Sequence, residues 1–153
     1  MWPGAPNALY QIKLLVIQAT PFCNISCSYC YLPDRRDRRA IDLALVQRIA
    51  ETVLETPYVG DSIDVLWHAG EPLMLPGTFF SKAYELLNSR SKTRTRFVFQ
   101  TNGTLLSDDH IEMFTKTAAL VRVSSVGTAK LHDGARQFRS GQPTLRTVET
   151  KIK

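Results

Sequence analysis

The amino-acid sequence predicts an α/β protein built on a parallel β-sheet. Short segments rich in β-branched and aromatic residues alternate along the chain with longer segments whose apolar residues recur at helical spacing. Loops containing Gly or Pro separate them. Because a parallel neighbour needs a long crossover connection, this alternation favours parallel strands joined by right-handed helical crossovers. The 153 residues are enough for one hydrophobic core.

The first strand is predicted at residues 14–17, a run of four apolar residues that we expect to be buried on both faces. The first helix is predicted at residues 41–54, where apolar residues recur every three or four positions. Asp42 is available as its N-cap, and Pro57 lies beyond its end. This strand, this helix and the loop between them form the first strand–loop–helix unit.

The remaining elements follow from the same patterns. Asp108 and Asp109 fall in the first turn of one helix, where acidic side chains interact favourably with the helix dipole. The predicted strands are residues 63–67, 96–100 and 120–124. The predicted helices are residues 78–90 and 107–117, with a fourth at residues 148–153.

Chemically distinctive residues follow every predicted strand. Functional sites of parallel α/β sheets collect where strands end and loops begin, so these segments are expected to meet. They are CNISCSYC at residues 23–30, HAGEP at residues 68–72, TNG at residues 101–103, and Ser124 with Ser125. Their shared position is a stronger indication of a site than any one of them.

The three cysteines, Cys23, Cys27 and Cys30, are the only ones in the chain and have the spacing C-x3-C-x2-C. An odd number of cysteines in a reducing compartment disfavours a disulfide framework and favours metal ligation or redox chemistry. Tyr31 follows the last cysteine, so the segment is not a C-x-x-C-H haem attachment motif. Three thiolates in one loop can hold an iron–sulfur cluster and leave one iron open to a small ligand.

Other interpretations remain open for these segments. The cysteines could form a structural zinc site completed by His68 or His132. Glu71 could cap a following helix, and the TNG segment alone is typical of a turn. The arginine-rich segment at residues 35–39 is expected to be a solvated loop, with precursor-peptide or nucleic-acid binding as the alternatives. It has no interleaved aromatic residues to support nucleic-acid binding.

The cysteine spacing, with the aromatic Tyr29 before the last cysteine, resembles that of the radical S-adenosylmethionine (SAM) superfamily. The AGEP segment resembles the GGEP segment of that family, with Ala69 in place of the first Gly. The strings TPFCNISCSYCYLP, VLWHAGEPL and FQTNGTLL are similar to the peptide-modifying members that carry a C-terminal SPASM domain. Among these they look most like maturases that install cyclophane crosslinks in glycine-rich repeat peptides. The resemblance covers about residues 12–150.

The resemblance implies a fold, two cofactors and an activity. The fold is an incomplete parallel (β/α) barrel, about the first four βα units of a radical SAM partial TIM barrel. Cys23, Cys27 and Cys30 would bind a [4Fe-4S] cluster whose open iron chelates S-adenosyl-L-methionine. One electron then cleaves SAM to a 5′-deoxyadenosyl radical, which modifies a ribosomally made precursor peptide.

The resemblance also assigns residues to the SAM site. Gly70 and Glu71 would orient the SAM amino group, because a small residue allows close approach of the backbone and a carboxylate accepts from an ammonium. Tyr29 and Tyr31 would border the adenine, and Ser124 would reach the ribose. The assigned residues are Tyr29, Tyr31, Ala69, Gly70, Glu71, Pro72, Asn102 and Ser124.

Two partners are implied, a precursor peptide, possibly with glycine-rich repeats, and a low-potential electron donor such as flavodoxin or ferredoxin. The first ten residues lack the pattern of a signal peptide, and the chain lacks an apolar run long enough for a membrane span. We therefore expect a cytoplasmic protein with no membrane partner. The net charge of +5 owes much to the arginines of residues 35–39.

The sequence also departs from the family pattern. Residues 1–153 match a radical SAM core domain, and the later barrel strands and the SPASM domain are expected to be absent from it. Relatives read roughly V-S-V-D-G-P after the fourth strand, whereas Val126 replaces the acid here. An open fourth strand would expose an apolar face. An inactive truncated gene product and a small zinc-binding module are therefore alternatives to the enzyme.

Overall fold

A computed structural model describes residues 11–89 and 93–153 of the chain. Residues 1–10, which lack a signal-peptide pattern, lie outside the described residues, as does the predicted end of the second helix at residue 90. The strands in chain order are β1 (Ile12–Ile17), β2 (Ile25–Cys27), β3 (Val59–Trp67), β4 (Arg94–Thr101), β5 (Leu120–Val123) and β6 (Arg136–Phe138).

Four strands form one parallel sheet in the order β1-β3-β4-β5. Val16 pairs with Leu66 and Leu66 with Val98, so these three strands are in register toward their carboxyl ends. Each strand of this sheet lies beside its predecessor, as at the start of a barrel, and the order does not reverse as it does in a doubly wound sheet. The predicted parallel α/β architecture is confirmed, and the predicted strands are each found, most of them longer than expected.

The helices in chain order are α1 (Leu43–Ile49), α2 (Gly77–Ser89), α3 (Asp108–Thr117), α4 (Ala129–Ala135) and α5 (Leu145–Lys151). A π-helical turn at Ala50–Leu54 continues α1, and a 3-10 turn occupies Pro72–Met74. The predicted N-cap is confirmed, because Asp42 Oδ1 accepts a hydrogen bond of 2.7 Å from Leu45 N. No helix within residues 11–89 and 93–153 has the length and hydropathy that crossing a membrane requires.

The main core lies between one face of the sheet and helices α1, α2 and α3. At its centre Trp67 of β3 is fully buried against Phe80 of α2, with ring centroids 5.1 Å apart. Phe80 in turn packs edge-on against Phe99 of β4 at 4.9 Å. Edge-to-face pairs of this kind stabilise by about 0.5–1.5 kcal/mol each beyond burial of their area. This packing fixes the carboxyl ends of β3 and β4 relative to each other.

The opposite face of the sheet is open at β1, which contradicts the expectation that this strand is buried on both sides. Leu14 and Val16 are each 51% exposed. Leu14, Asp64 and Arg96 are in register and share this face, where Asp64 and Arg96 form an ion pair of 2.6 Å. Within residues 11–89 and 93–153 the helices pack on the other face of β1, which leaves the apolar side chains of this face exposed. This exposed apolar face lies at β1, at the opposite edge of the sheet from the fourth strand, where an exposed face was expected.

A second, two-stranded antiparallel sheet was not predicted. It joins β2 to β6, with Ile25 opposite Phe138 and Cys27 opposite Arg136. Strand β2 lies within residues 23–30, which contain the three cysteines and are called the cysteine loop below. Helix α4 just before β6 was also not predicted, and α5 begins three residues earlier than expected. Strands of three residues show no periodicity, and they form here because a distant segment supplies the hydrogen bonds. The cysteine loop is therefore covered by the α4–β6 segment.

Candidate active site

The cysteine loop leaves the carboxyl end of β1 and is held by backbone hydrogen bonds to two other segments. Glu71 N donates to Phe22 O at 2.9 Å, just before the first cysteine. Ser28 N donates to Ala135 O at 2.9 Å, just after the second. Cys23, Cys27 and Cys30 are free thiols of intermediate burial. Their backbone is thus positioned by the end of β3 on one side and by α4 on the other.

All three cysteines line one cleft at the carboxyl edge of the sheet. Its cavity volume is about 180 Å³. The segments after β1, β3, β4 and β5 all contribute to it, as the sequence predicted. The predicted site residues that line it are Cys23, Cys27, Cys30, Tyr29, Tyr31, Ala69, Gly70, Glu71, Asn102 and Ser124.

Pro72 is the one predicted site residue that does not line the cleft. It is buried at the start of the 3-10 turn Pro72–Met74. Proline suits the first position of a helical turn, because its missing N–H would have no partner there. Pro72 therefore starts this turn, and its assignment to the cofactor site stays a prediction.

Burial raises the pKa of the Cys23 thiol and of the Cys27 thiol above their usual range. At Cys27 the cations of Arg136 and Arg35 oppose this shift. Both thiols are accordingly protonated at neutral pH in the metal-free chain. Because metal ligands must be thiolates, loading a metal or a cluster here releases protons.

The zinc alternative gains no support from the geometry. Among residues 11–89 and 93–153, no three His, Cys, Asp or Glu side chains lie close enough together to hold one metal ion. His132 is fully buried, with Nε2 3.1 Å from Thr144 Oγ1 and Nδ1 accepting from Val126 N at 3.4 Å. Both its ring nitrogens are thus occupied, whereas His68 lines the cleft. A cluster, which binds each cysteine at a different iron, suits more widely spaced thiols.

The Ala69-Gly70 pair makes a tight left-handed turn after β3. Both residues have positive φ, 70° at Ala69 and 65° at Gly70. A Cβ on Gly70 would lie 2.0 Å from Thr20 O and 2.9 Å from Phe22 O. The missing side chain of Gly70 therefore allows the turn to lie against the start of the cysteine loop. The sequence had suggested only that it allows a ligand to approach the backbone.

Glu71 is 1% exposed, and its carboxylate joins the ends of β3 and β4. Oε1 accepts from Leu73 N at 3.0 Å and from Thr101 Oγ1 at 2.6 Å, and Oε2 accepts from Asn102 N at 2.8 Å. The capping interpretation is thus confirmed for the 3-10 turn. Burial raises the pKa of Glu71 despite these hydrogen bonds. In the described residues Oε2 accepts one hydrogen bond and Oε1 two, and Glu71 lines the cleft.

Asn102 links the end of β4 to the cysteine loop. Its Nδ2 donates to Asn24 Oδ1 at 2.9 Å and lies 3.7 Å from Cys23 Sγ. Its Oδ1 accepts from Thr104 N at 2.9 Å, which closes the turn that the TNG segment indicated. Asn24 Nδ2 donates to Thr104 Oγ1 at 2.8 Å. Neither Asn24 nor Thr104 was identified from the sequence, since their pairing is visible only in the fold.

Arg136 is the main cleft residue that sequence reasoning missed. Only 5% of it is exposed, and Nη1 donates to the Tyr29 hydroxyl at 2.6 Å. Its buried Nε has no hydrogen-bond partner in the described part of the chain. The pairing of β6 with β2 carries this cation to the cleft, opposite Cys27. No local motif marks it, because its burial depends on that long-range pairing.

The outer rim of the cleft is formed by Tyr29, Tyr31 and Ser124. Tyr31 is 80% exposed and free to contact a ligand. Ser124 Oγ accepts from Gln100 Nε2 at 2.8 Å, and Ser124 N donates to Thr101 O at 2.9 Å. The rim therefore combines aromatic surface with a fixed hydroxyl.

A family model of the radical SAM superfamily matches residues 17–139. The chain belongs to the radical SAM superfamily. An uncharacterised protein of Synechocystis is 32% identical over 90% of this chain. The serine-type anaerobic sulfatase-maturating enzyme of Bacteroides thetaiotaomicron is 32% identical over 80% of it. The Bacteroides relative is thus a sulfatase-maturating enzyme, and the cyclophane subgroup stays a prediction.

Solved structures of radical SAM proteins share this fold. Native anSMEcpe with bound AdoMet superposes with a TM-score of 0.79 at 25% identity, covering 92% of this chain and 40% of that one. Streptococcus suis SuiB bound to precursor peptide SuiA gives a TM-score of 0.67 at 21% identity, covering 92% and 30%. The fold is thus that of a partial radical SAM barrel, and the superfamily uses a [4Fe-4S] cluster and SAM.

The chain spans about a third of the length of the curated relatives it matches. The match covers 37% of the Synechocystis protein and 31% of the Bacteroides enzyme. It includes the carboxyl ends of the first four barrel strands and the loops that follow them. These loops contain the three cysteines and the turn Ala69–Gly70.

Proposed function

We propose that this chain binds a [4Fe-4S] cluster and SAM for the radical modification of a peptide. The observation that carries the proposal is the convergence of three cysteines, a buried carboxylate and a buried arginine on one cleft. The names of its relatives and structural neighbours, which include sulfatase-maturating enzymes and a peptide-bound protein, support a peptide substrate.

The cleft residues fit the two cofactors. Cys23, Cys27 and Cys30 supply three thiolates and leave one cluster iron for SAM. Asn102 Nδ2, 3.7 Å from Cys23 Sγ, donates toward the sulfur and reduces its negative charge. The pairing of β2 with β6 also holds the conformation of the cysteine loop, so this conformation does not depend on the cluster alone.

The opposite charges of the SAM methionine moiety match Glu71 and Arg136. The free site on Glu71 Oε2 accepts from the ammonium group, and the other hydrogen bonds of Glu71 hold it still. Arg136 Nε, which is buried without a partner in the described residues, donates to the carboxylate. Ligand binding thereby satisfies a buried donor that otherwise costs free energy.

The rim residues orient the nucleoside. Tyr29 and Tyr31 present aromatic surface to the adenine, and the Ser124 hydroxyl lies where it can reach the ribose. When bound, the cluster and SAM supply one-electron reductive chemistry that generates a hydrogen-abstracting radical. No protein general base is needed for that step. The protein residues bind, orient and shield the reactants.

The finer assignments belong to the same proposal. The peptide is a ribosomally made precursor, with glycine-rich repeats as the favoured type on the sequence resemblance. The electron comes from a low-potential donor such as flavodoxin or ferredoxin. The matched relatives are more than twice as long as this chain, and we propose that residues outside the four barrel units complete the substrate site.

Anaerobic reconstitution with iron and sulfide tests the proposal. We expect about four irons per chain, as one cubic cluster requires, and formation of 5′-deoxyadenosine after addition of dithionite and SAM. A variant with Cys23, Cys27 and Cys30 changed to alanine is the control. It should bind no cluster and form no product.

Three outcomes are distinguishable. Product above the control supports the full proposal and directs the search to a peptide substrate. A stable cluster without product would mean that this chain binds the cluster but is inactive alone. Failure to bind iron, or binding of a single zinc ion, would overturn the proposal in favour of a small metal-binding module.

A further inference from the structure

Three arginines contact the cysteine loop from outside the cleft. Arg35, Arg38 and Arg139 are absent from its lining, although they lie against the loop. The sequence favoured a solvated loop for residues 35–39. Arg35 is instead half-buried and bonded to the cysteine loop, so part of this charged segment is structural.

The arginines hold the backbone of two of the three cysteines. Arg139 Nε donates to Cys23 O at 2.8 Å, and its Nη2 donates to Arg35 O. Arg35 Nη1 donates to Cys27 O at 3.2 Å. Cys23 N also donates to Arg35 O at 3.3 Å. These bonds form one connected network that links Cys23 to Cys27 through two guanidinium groups.

Phe22 anchors this network to the core side of the loop. The Arg38 guanidinium lies 4.4 Å from the Phe22 ring centroid, and that of Arg139 lies 5.2 Å from it. Cations over an aromatic face are attracted by its electron density. Phe22 itself is buried and accepts from Glu71 N through its carbonyl. Arg139 is therefore restrained both by its hydrogen bonds and by the ring.

We infer that Arg35 and Arg139 are a positioning pair, which fixes the cysteine loop before the cluster binds and raises the reduction potential of the bound cluster. Reduction adds negative charge to a cluster, so nearby cations and hydrogen bonds favour the reduced state. The inference rests on the proposed function, because it assumes a cluster on Cys23, Cys27 and Cys30. Neither arginine contacts the cleft, so neither is a catalytic residue.

The first test uses the metal-free chain and measures hydrogen–deuterium exchange of the segment 22–30. Arg139→Met removes two hydrogen bonds and keeps a side chain of similar length. We expect exchange in this segment to accelerate about fivefold or more, since local opening becomes easier. Arg36→Met is the matched control, because this substitution removes the same charge from an exposed residue. The Arg36 side chain makes no hydrogen bond or ion pair in the described residues. Arg36→Met should leave exchange unchanged.

The second test measures the midpoint potential of the reconstituted cluster by redox titration. We expect a more negative potential in Arg35→Met and in Arg139→Met than in the wild type or Arg36→Met. Arg139→Lys keeps the charge but cannot make both hydrogen bonds. The midpoint potential of Arg139→Lys should therefore lie close to that of the wild type, while hydrogen exchange stays as fast as in Arg139→Met. A purely structural role would not separate the two measurements in this way.

The outcomes separate this inference from the proposed function. Equal exchange and equal potential in Arg139→Met and Arg36→Met would overturn the positioning pair, even if the wild type binds a cluster. If Arg139→Met binds no cluster while Arg36→Met does, fast exchange in the metal-free variant still supports the pair, and unchanged exchange overturns it. If the wild type itself binds no cluster, the proposed function fails, and the potential inferred here fails with it.

Discussion

Arg136 Nη1 donates a hydrogen bond of 2.6 Å to the Tyr29 hydroxyl and thereby joins β6 to the residue before the last cysteine. The arginine is buried, and its Nε has no partner within the described residues. A buried cation with a spare donor beside a cleft is suited to an anionic ligand group. The effect of removing it can be separated from the effect of removing its tyrosine partner.

Arg136→Met should weaken SAM binding to the reconstituted protein about tenfold or more, since a hydrogen bond to a charged group contributes about 1.5–3 kcal/mol. Equilibrium dialysis with labelled SAM measures this. Tyr29→Phe is the control, because it removes the hydroxyl and keeps the ring and the cation. Wild-type affinity in Arg136→Met would contradict the assigned role.

Ala69→Gly should raise the free energy of unfolding by about 0.5–1 kcal/mol. Ala69 has a φ of 70°, a left-handed conformation that costs a residue with a Cβ about 1–2 kcal/mol. The gain is reduced because glycine loses more entropy on folding. Urea unfolding of the metal-free protein measures the difference. The same substitution at Ala44, exposed within α1, should be destabilising, so equal signs at both sites would refute the strain argument.

Gly70→Ala should destabilise the chain by roughly 2–4 kcal/mol, because strain at positive φ adds to overpacking. The new Cβ would meet Thr20 O at 2.0 Å and push the turn away from the cysteine loop. Urea unfolding and iron content after reconstitution both report the damage. Gly134→Ala is the comparison, since a Cβ there meets nothing within 4 Å. A Gly70→Ala protein as stable as Gly134→Ala would contradict the close approach.

The stability of the metal-free chain should depend on pH through Glu71. Burial raises the pKa of folded Glu71 above its ordinary value of 4.5, so the folded state holds the proton more strongly than the unfolded state. This contribution is present below pH 4.5 and is lost as the pH rises through the folded pKa. As the pH rises above 4.5, the free energy of unfolding should therefore fall in the wild type through the titration of Glu71. In Glu71→Gln this fall should be absent.

Urea unfolding between pH 4.5 and pH 8 checks the Glu71 prediction. Glu71→Gln places an N–H beside the Asn102 or Leu73 donor, which costs about 1–3 kcal/mol at every pH. The difference in the free energy of unfolding between the wild type and Glu71→Gln should therefore shrink as the pH rises. Glu112→Gln, on the exposed face of α3, serves as the control. A deficit that stays constant with pH would rule out the pKa shift.

His132 should give a pH dependence of opposite sign. Burial and the nearby Arg136 cation lower the pKa of His132 below its ordinary value of 6.5, while Asp133 and Glu149 oppose the shift. Its stabilising contribution is present above pH 6.5 and is lost as the pH falls through the folded pKa. His132→Gln should remove this acid sensitivity between pH 5 and pH 7 in urea unfolding. His68→Gln should retain this acid sensitivity. A His132→Gln protein as acid-sensitive as the wild type would contradict the lowered pKa of His132.

Prediction from sequence succeeded where the signal is local. Strands β1, β3, β4 and β5 and helices α1 to α3 carry their own apolar periodicity, and the loops after these strands meet because parallel strands end at one edge. The β2–β6 pair carries no such signal, so the position of Arg136 beside Cys27 could not be derived. The expected solvated loop at residues 35–39 is right for its other arginines, which are exposed, but not for Arg35, whose carbonyl accepts a hydrogen bond from Arg139 of a distant segment.

The burial of Trp67 gives the protein a useful optical property. Its indole is surrounded by phenylalanine rings and lies one residue before the segment that enters the cleft. Iron–sulfur clusters absorb broadly in the near ultraviolet and quench nearby tryptophan emission. In a Trp2→Phe background, the fluorescence of Trp67 should therefore be blue-shifted in the metal-free chain and fall as the cluster assembles. Loading could then be followed continuously in a sealed cuvette.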